Sequence, residues 1–469
     1  MNEEQQSKKT LWIIIAVIVA ILLAALYFFM VVQKGDTTDG SRTFFGNLFG
    51  TGQEEDTPRN RIEDTGTENT GEEGVAEMQQ TQLFRQLANI QVAGGVAISR
   101  DGKPFVRYVA RESGHVFEVD PSDGATTELT NTTIPRVYEA LWVAGGNSVV
   151  LRYLTQDPLS LKDVIKTYLA HLDLPIASTS SDPVLLGSLK GEFLPDNISS
   201  VSISPDGKLL FYLLPVSDGV SGTTVTLSTM AAKEVLRHSF SEWLPQIQND
   251  GTIILTTKPS ANVHGFAYLY NPTGRKLTRL IREKNALTTN TEPLGTRILY
   301  SQNISGNTVL GLYDKTGFGS EEGVIEHEAN VPLATLPEKC AWSLQMRIYC
   351  GAFSTTPRAQ IPDEWYQGVL SFNDTFWRIE SNTSEIAFIV DPTKQPETNG
   401  QSFDVFTPFV ALGEEYFYFV NKKDSTLWSM AIQNTSGQTP VDTTPIQPEE
   451  AGDAAGSLNI QNSTSNGGK

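Results

Sequence analysis

Two patterns of apolar and polar positions divide this chain. A run of 22 uncharged, almost wholly apolar residues begins at Leu11 and ends at Val32. As a helix it would extend roughly 33 Å at about 1.5 Å per residue, enough to cross a bilayer core of about 30 Å. Between residues 83 and 433 the pattern changes to short β-branched and aromatic runs separated by turns such as Asp-Gly and Asn-Pro. The sequence therefore predicts one transmembrane helix and a separate all-β domain.

A strand–turn–strand unit recurs within residues 83–433. From Asp120 to Ala431 the spacing averages about 52 residues, which is near the period of propeller blades. This spacing predicts a seven-bladed β-propeller, with six or eight blades as alternatives. The seven copies, in which an aromatic or apolar strand runs into a polar turn, lie at residues 117–121, 168–173, 225–230, 268–274, 312–317, 377–380 and 428–431.

A second recurring element is a hairpin built on an Asp-Gly turn. It is clearest at residues 204–208 (SPDGK), with partial copies at 100–103 and 249–251. Asp-Gly suits a tight hairpin because its turn positions often need positive φ. These residues resemble the S-P-D-G-K hairpins of WD40-like propeller repeats of the TolB type, and the layout resembles bacterial propellers held by one N-terminal anchor. The resemblance implies a fold and no function, because propellers host many functions.

The last repeat unit is one strand short. It offers strands only around residues 403–410, 416–420 and 426–432. The segment at 83–88 (LFRQLA) precedes the first blade and has the composition of a blade's outer strand. We predict that it completes the last blade, because this pairing removes an exposed edge and closes the ring.

The apolar run is too long for a signal peptide, whose apolar region spans about 7–15 residues, so an uncleaved anchor is predicted. Lys8 and Lys9 favour a cytoplasmic N-terminus over residues 1–10 and an extracytoplasmic β domain. The expected location is the cytoplasmic membrane. Ala16, Ala20 and Ala24 recur at every fourth position of the run and so share one helix face. They either reflect the usual alanine content of a spanning helix or form the contact face of a weak anchor-helix dimer.

Two segments flank the β domain. Residues 33–82 form an acidic linker, and residues 434–469 form a tail poor in large apolar residues; both are predicted to be disordered. An apolar patch at 44–49 (FFGNLF) interrupts the linker. It lies on the membrane surface, docks to a partner, or contacts the β domain.

Charge and cysteine content narrow the chemistry. The net charge of −19 argues against nucleic acid or anionic lipid as the main partner, because both require a basic surface. Cys340 and Cys350 flank a hairpin centred on Gln345, so they face each other across two strands. Outside the cytoplasm they would form a disulfide, and the alternative is two buried thiols. Two cysteines alone cannot build a structural zinc site.

No catalytic or cofactor motif is present in the sequence. It contains no G-x-S-x-G elbow, and its five histidines form no H-x-H or H-E-x-x-H pair. The acidic turn at 120–124 lacks the bidentate Glu of a calcium loop. We therefore predict no catalytic residue, no metal and no cofactor.

One long insertion is the candidate binding site. Residues 357–368 contain Asp363, Glu364, Trp365 and Tyr366, where large aromatics adjoin carboxylates. Such residues either anchor a protein or glycan ligand or fill a gap over the propeller channel. Further insertions, predicted on the same face because they also join second to third strands, lie at 156–163 and 215–222.

The functional prediction is a non-catalytic binding or scaffolding module for an envelope protein or polymer. The alternative is an envelope hydrolase or lyase with its site at the mouth of the channel. Carboxylates that converge there would favour the enzyme.

Overall fold

The computed structural model describes residues 82–175, 186–315, 327–355 and 357–432, which form seven four-stranded antiparallel sheets. The predicted all-β, seven-bladed propeller is thereby confirmed. The blades are numbered 1 to 7 along the chain, and in each the strands pair in order from the inside of the ring outward. First strands contact each other between blades 1 and 2, blades 3 and 4, blades 6 and 7, and blades 7 and 1, so the ring is closed.

Blades 1 to 6 each take four consecutive strands, and blade 7 takes its outer strand from the start of the domain. Blade 7 consists of β26 (Val405–Val410), β27 (Tyr416–Asn421), β28 (Leu427–Ala431) and β1 (Phe84–Ala88). The other strands are, in blade 1, β2 (Val92–Arg100), β3 (Lys103–Ala110), β4 (Val116–Val119) and β5 (Thr126–Glu128); in blade 2, β6 (Val137–Trp142), β7 (Ser148–Gln156), β8 (Asp163–Asp173) and β9 (Ser188–Phe193); in blade 3, β10 (Ser200–Ile203), β11 (Leu209–Val216), β12 (Gly219–Thr226) and β13 (Ala231–His238); in blade 4, β14 (Trp243–Ile247), β15 (Ile253–Thr257), β16 (His264–Asn271) and β17 (Lys276–Asn285); in blade 5, β18 (Thr288–Thr291), β19 (Arg297–Ile304), β20 (Asn307–Asp314) and β21 (His327–Val331); and in blade 6, β22 (Cys340–Trp342), β23 (Arg347–Phe353), β24 (Asp374–Glu380) and β25 (Glu385–Val390).

The apolar core lies between neighbouring blades. Second strands are buried on both faces because a blade packs on each side, so β15 reads IILTT with four successive buried residues. Outer strands such as β13 are largely exposed and polar. At the inner wall, Gly94 and Gly95 permit close packing, because a Cβ at Gly94 would lie 2.1 Å from the Ala140 carbonyl oxygen and one at Gly95 would lie 2.9 Å from the Phe409 ring.

The ring closes as predicted. β1 pairs with β28, and Phe84 lies opposite Met430. The Phe84 side chain is fully buried against Phe376 and Phe403, with ring centroids 5.3 and 5.6 Å away. The first strand of the domain therefore belongs to its last blade.

The two ends of the ring differ in what they carry. Because strand direction alternates, the connections between second and third strands and those between blades lie at one end, here named the upper face; the remaining turns lie at the lower face. β28 is a third strand and ends at the lower face, and the antiparallel β1 begins there. The backbone N–H of Ala431 donates to the Leu83 carbonyl over 2.8 Å, so both described ends, Gln82 and Ile432, leave the domain together at the lower face.

Of the two further insertions predicted at the upper face, one is present and one is not. Between β7 and β8 six residues, 157–162, do form a loop. The segment at 215–222 is no insertion, because β11 continues to Val216 and β12 begins at Gly219. Only Ser217 and Asp218 turn the chain, since this polar, Gly-containing stretch pairs as a strand instead of forming a loop.

The hairpin register at the cysteines is the one predicted. Cys340 lies directly opposite Cys350 in the β22–β23 pair, and the two Sγ atoms are bonded at 2.16 Å. Both residues are buried in the apolar cluster between blades 5 and 6.

We expect the disulfide to be present in the native protein. Mass spectrometry of protein alkylated without reduction should recover the peptides of Cys340 and Cys350 joined. A Cys340→Ala, Cys350→Ala protein provides the matched blank. Alkylation of both thiols in native protein from the outer side of the membrane would contradict the prediction.

Several predicted segments lie outside the described residues. They are the apolar run from Leu11 to Val32, most of the linker with its patch at 44–49, and the tail. Within the described ranges no helix is both long and apolar enough to cross a membrane. The anchor, the linker and the tail stay predictions.

Candidate binding face

A long connection in blade 6 crosses the upper face. The chain from residue 357 to residue 370, here named the cap segment, joins β23 to β24 and contains the short helix α1 (Asp363–Tyr366). Its apolar side chains form a small core of their own, in which Ile361 and Trp365 pack with Leu336, Phe353 and Phe372. The cap segment is therefore a packed element of the domain.

The cap segment is tied to several blades. The Asp363 carboxylate accepts a hydrogen bond from the backbone N–H of Ala261 in blade 4, over 2.5 Å. The Tyr366 hydroxyl donates to Glu338, which lies in the connection between blades 5 and 6. Lys422 of blade 7 donates to the Trp365 carbonyl over 2.7 Å. These contacts support the interpretation of the insertion as a plug that spans the upper face.

Trp365 is not available to a partner. Its side chain is wholly buried, and its indole N–H donates to both carboxylate oxygens of Asp404 at 3.1 Å. Its ring packs against Phe372 and Phe406. Because α1 turns the indole toward the domain core, the structure favours the predicted alternative in which Trp365 fills a gap at the upper face.

A buried ion cluster lies beneath the cap segment. The ammonium of Lys339 contacts Asp374 at 2.8 Å and also the Asp404 carboxylate, and none of the three side chains is exposed to solvent. Asp404 further accepts from the Ser371 hydroxyl and the Phe372 N–H, both at 3.1 Å. Burial raises the pKa of Asp374 to about 6, although Lys339 opposes the shift. Two carboxylates thus converge near the upper face, but they bind a lysine inside the protein.

The remaining predicted site residues are only partly accessible. Burial raises the pKa of the Glu338 carboxyl. Burial also raises the pKa of the Tyr366 hydroxyl, which donates to Glu338, and the charge of Glu338 raises it further. The hydroxyl is thus engaged, while other parts of Tyr366 are exposed. Glu364 accepts from the Gln360 N–H over 3.0 Å and holds the start of α1. The exposed apolar surface of the cap segment is presented by Tyr366 and by Val369, which is 73% exposed.

More exposed large apolar residues lie at the upper face than at the lower one. Most of them were not predicted from the sequence, although the two leucines that follow Pro158, Leu159 and Leu161, indicate an apolar loop. At the lower face they are Leu174, Leu186, Leu277, Leu294, Leu344 and Leu412. At the upper face they are Ile90, Leu159, Leu161, Phe193, Phe240, Val263, Ile304, Tyr366, Val369 and Phe406.

In the described ranges, no three His, Cys, Asp or Glu side chains are grouped so as to hold a metal ion. His115 instead contacts Glu128 at 2.7 Å, and His171 contacts the Ser148 hydroxyl at 3.1 Å.

Among known proteins, this chain resembles solved propeller structures in fold. No protein-family model and no curated protein matches the chain. Among solved structures, the Cps50 (Swd1) β-propeller domain of Myceliophteria thermophila is 8% identical, with 74% of this chain and 98% of that chain covered and a TM-score of 0.47. An oligogalacturonate lyase in complex with manganese is 11% identical, with 75% and 93% covered and a TM-score of 0.47. A putative TolB from Agrobacterium tumefaciens is 12% identical, with 52% and 81% covered and a TM-score of 0.34.

Proposed function

We propose that this chain is a membrane-anchored, extracytoplasmic β-propeller that binds an envelope protein or polymer through its upper face, without catalysis. The observation that carries the proposal is the position of the chain ends. Gln82 and Ile432 both leave from the lower face, so the linker toward the predicted anchor starts there. The upper face, free of both ends, presents the cap segment and most of the exposed apolar residues.

The chemistry beneath the cap segment favours binding over the alternative hydrolase or lyase. A catalytic carboxylate must reach its substrate. Asp374 and Asp404 converge, but both are fully buried against Lys339. Asp363 is engaged with the backbone of blade 4. Asp363 and Asp404 accept hydrogen bonds that hold the cap segment in place, and Asp374 accepts from the Val405 N–H beside Lys339.

The proposal predicts that a charge on the cap segment abolishes partner capture. Val369→Glu would bury a carboxylate in the interface, and we expect recovery of the partner after cross-linking in native membranes to fall at least tenfold. The matched control is Leu344→Glu at the lower face, where the side chain is 66% exposed. Both variants should keep the wild-type melting temperature, because exposed substitutions change stability by only about 0.5 kcal/mol.

Two outcomes would contradict the proposed function. Equal loss of capture in Val369→Glu and Leu344→Glu would remove the argument for the upper face. Turnover of an envelope polymer by the wild-type protein would establish the enzyme instead.

A further inference from the structure

The β7–β8 hairpin rises above the rest of blade 2. Its last pairing with the inner strand β6 joins Val137 to Tyr153, whereas β7 and β8 remain paired as far as Gln156 and Asp163. Residues 157–162 then form the tip, which we name the leucine tip. The hairpin therefore projects from the same upper face as the cap segment.

The leucine tip exposes apolar side chains. Leu159 is 96% exposed and Leu161 is 72% exposed. Neither belongs to an apolar cluster of the described residues. The fold gains nothing from leucine at either position, since each leaves apolar surface in water.

The leucine tip is nevertheless an ordered turn. The Asp157 carboxylate accepts from the N–H groups of Leu159 and Ser160 at 2.9 and 2.7 Å, and its carbonyl accepts from the Leu161 N–H at 2.9 Å. The hydrogen bonds from Ser160 and Leu159 also lower the pKa of this carboxyl, so it is ionised and remains an acceptor at neutral pH. A partner that binds the tip would therefore spend little free energy on ordering it.

We propose that the leucine tip inserts Leu159 and Leu161 into an apolar pocket of a partner protein. This inference rests on the proposed function. Of the two classes of partner proposed for the upper face, an envelope protein and an envelope polymer, it selects the protein. Aliphatic side chains offer neither hydrogen-bonding groups nor aromatic faces to a polysaccharide, and they gain free energy only against apolar surface.

Charge and topology argue against the other occupants. Near the tip, Lys166 is paired with Asp196 at 2.7 Å, and Lys162 is offset by its neighbour Asp163, so no net charge attracts an anionic polymer or lipid. The chain toward the predicted anchor leaves from the lower face, and two leucines bury too little apolar surface to hold a bilayer by themselves.

The test places a photo-cross-linking amino acid at position 160 of the full chain in native membranes. We expect a cross-linked protein adduct that is lost, at least tenfold, when Leu159→Ser and Leu161→Ser are added, because each leucine loses its apolar burial. The matched control adds Leu344→Ser and Leu412→Ser at the lower face and should leave the adduct unchanged. A probe at position 369 reports on the cap segment in parallel.

Each other outcome overturns the inference. Adducts with lipid, with polysaccharide or with a second copy of this chain identify a different occupant. A protein adduct that survives the serine substitutions shows that the leucines are not its anchors. Adducts at position 369 without any at position 160 refute the tip and leave the proposed function standing, whereas partner binding with adducts at neither position counts against both.

Discussion

A protein that begins at Gly94 is expected to be less stable than one that begins at Thr81 by several kcal/mol. The shorter protein lacks β1, so β28 becomes an exposed edge and blade 7 keeps three strands. It also loses Phe84 and Leu87, which are both buried. Removal of one large buried side chain typically costs about 2–5 kcal/mol. Urea unfolding of the two proteins, followed by tryptophan fluorescence, measures the difference.

Single substitutions in β1 separate loss of packing from loss of the strand. Phe84→Ala should lower the unfolding free energy by about 3–5 kcal/mol, because the ring is enclosed by Phe376 and Phe403. Gln86→Ala in the same strand is exposed and should change it by about 0.5 kcal/mol or less. Equal unfolding midpoints for the proteins beginning at Gly94 and Thr81 would contradict the role of β1 in closure.

The second large effect is expected from Lys339→Met. This change keeps the length of the side chain but leaves Asp374 and Asp404 without their buried cation. Breaking a buried ion pair on one side typically costs about 3–5 kcal/mol. The control is Lys208→Met, since Lys208 also contacts an aspartate, Asp206, but its side chain is 78% exposed.

The cost of Lys339→Met should depend on pH. The pKa of Asp374 is raised to about 6 in the folded wild type, whereas in the unfolded chain it is about 4. The protonated carboxyl therefore adds to the free energy of unfolding below pH 4, and this addition is lost as the pH rises through 6. Lys339 opposes this upward shift, so without its ammonium the Asp374 carboxyl retains its proton to higher pH. The stability difference between variant and wild type should therefore be smaller at pH 5 than at pH 8. An equal difference at both pH values, measured by denaturant unfolding, would contradict the raised pKa of Asp374.

The parts of the fold that could be predicted are those that depend on residues close together in the sequence. Asp-Gly turns and β-branched runs mark single hairpins, and their spacing marks the blades. The register of Cys340 and Cys350 followed from one short turn. The missing fourth strand of blade 7 could be inferred by counting, because an unpaired edge strand is unfavourable.

The candidate site could not be predicted because its contacts join distant segments. Lys339 meets Asp404, 65 residues away, and Asp363 meets Ala261, 102 residues away. In the sequence, Trp365 adjoins polar residues, as the aromatic anchors of binding surfaces do, so the local pattern predicts an exposed side chain. Its burial depends on a one-turn helix whose direction is set by those distant partners.

The strand exchange in blade 7 also sets the order in which the domain can be completed during synthesis. Arg85 and Ser429 lie on paired strands yet are 344 residues apart, so a ribosome delivers the first of them long before the second. In the interval β1 has no partner, and the blades that follow it can stack only as an open arc. A chain interrupted before Leu427 therefore leaves β1 without its partner strand, and β28, the last strand to emerge, decides whether the ring closes.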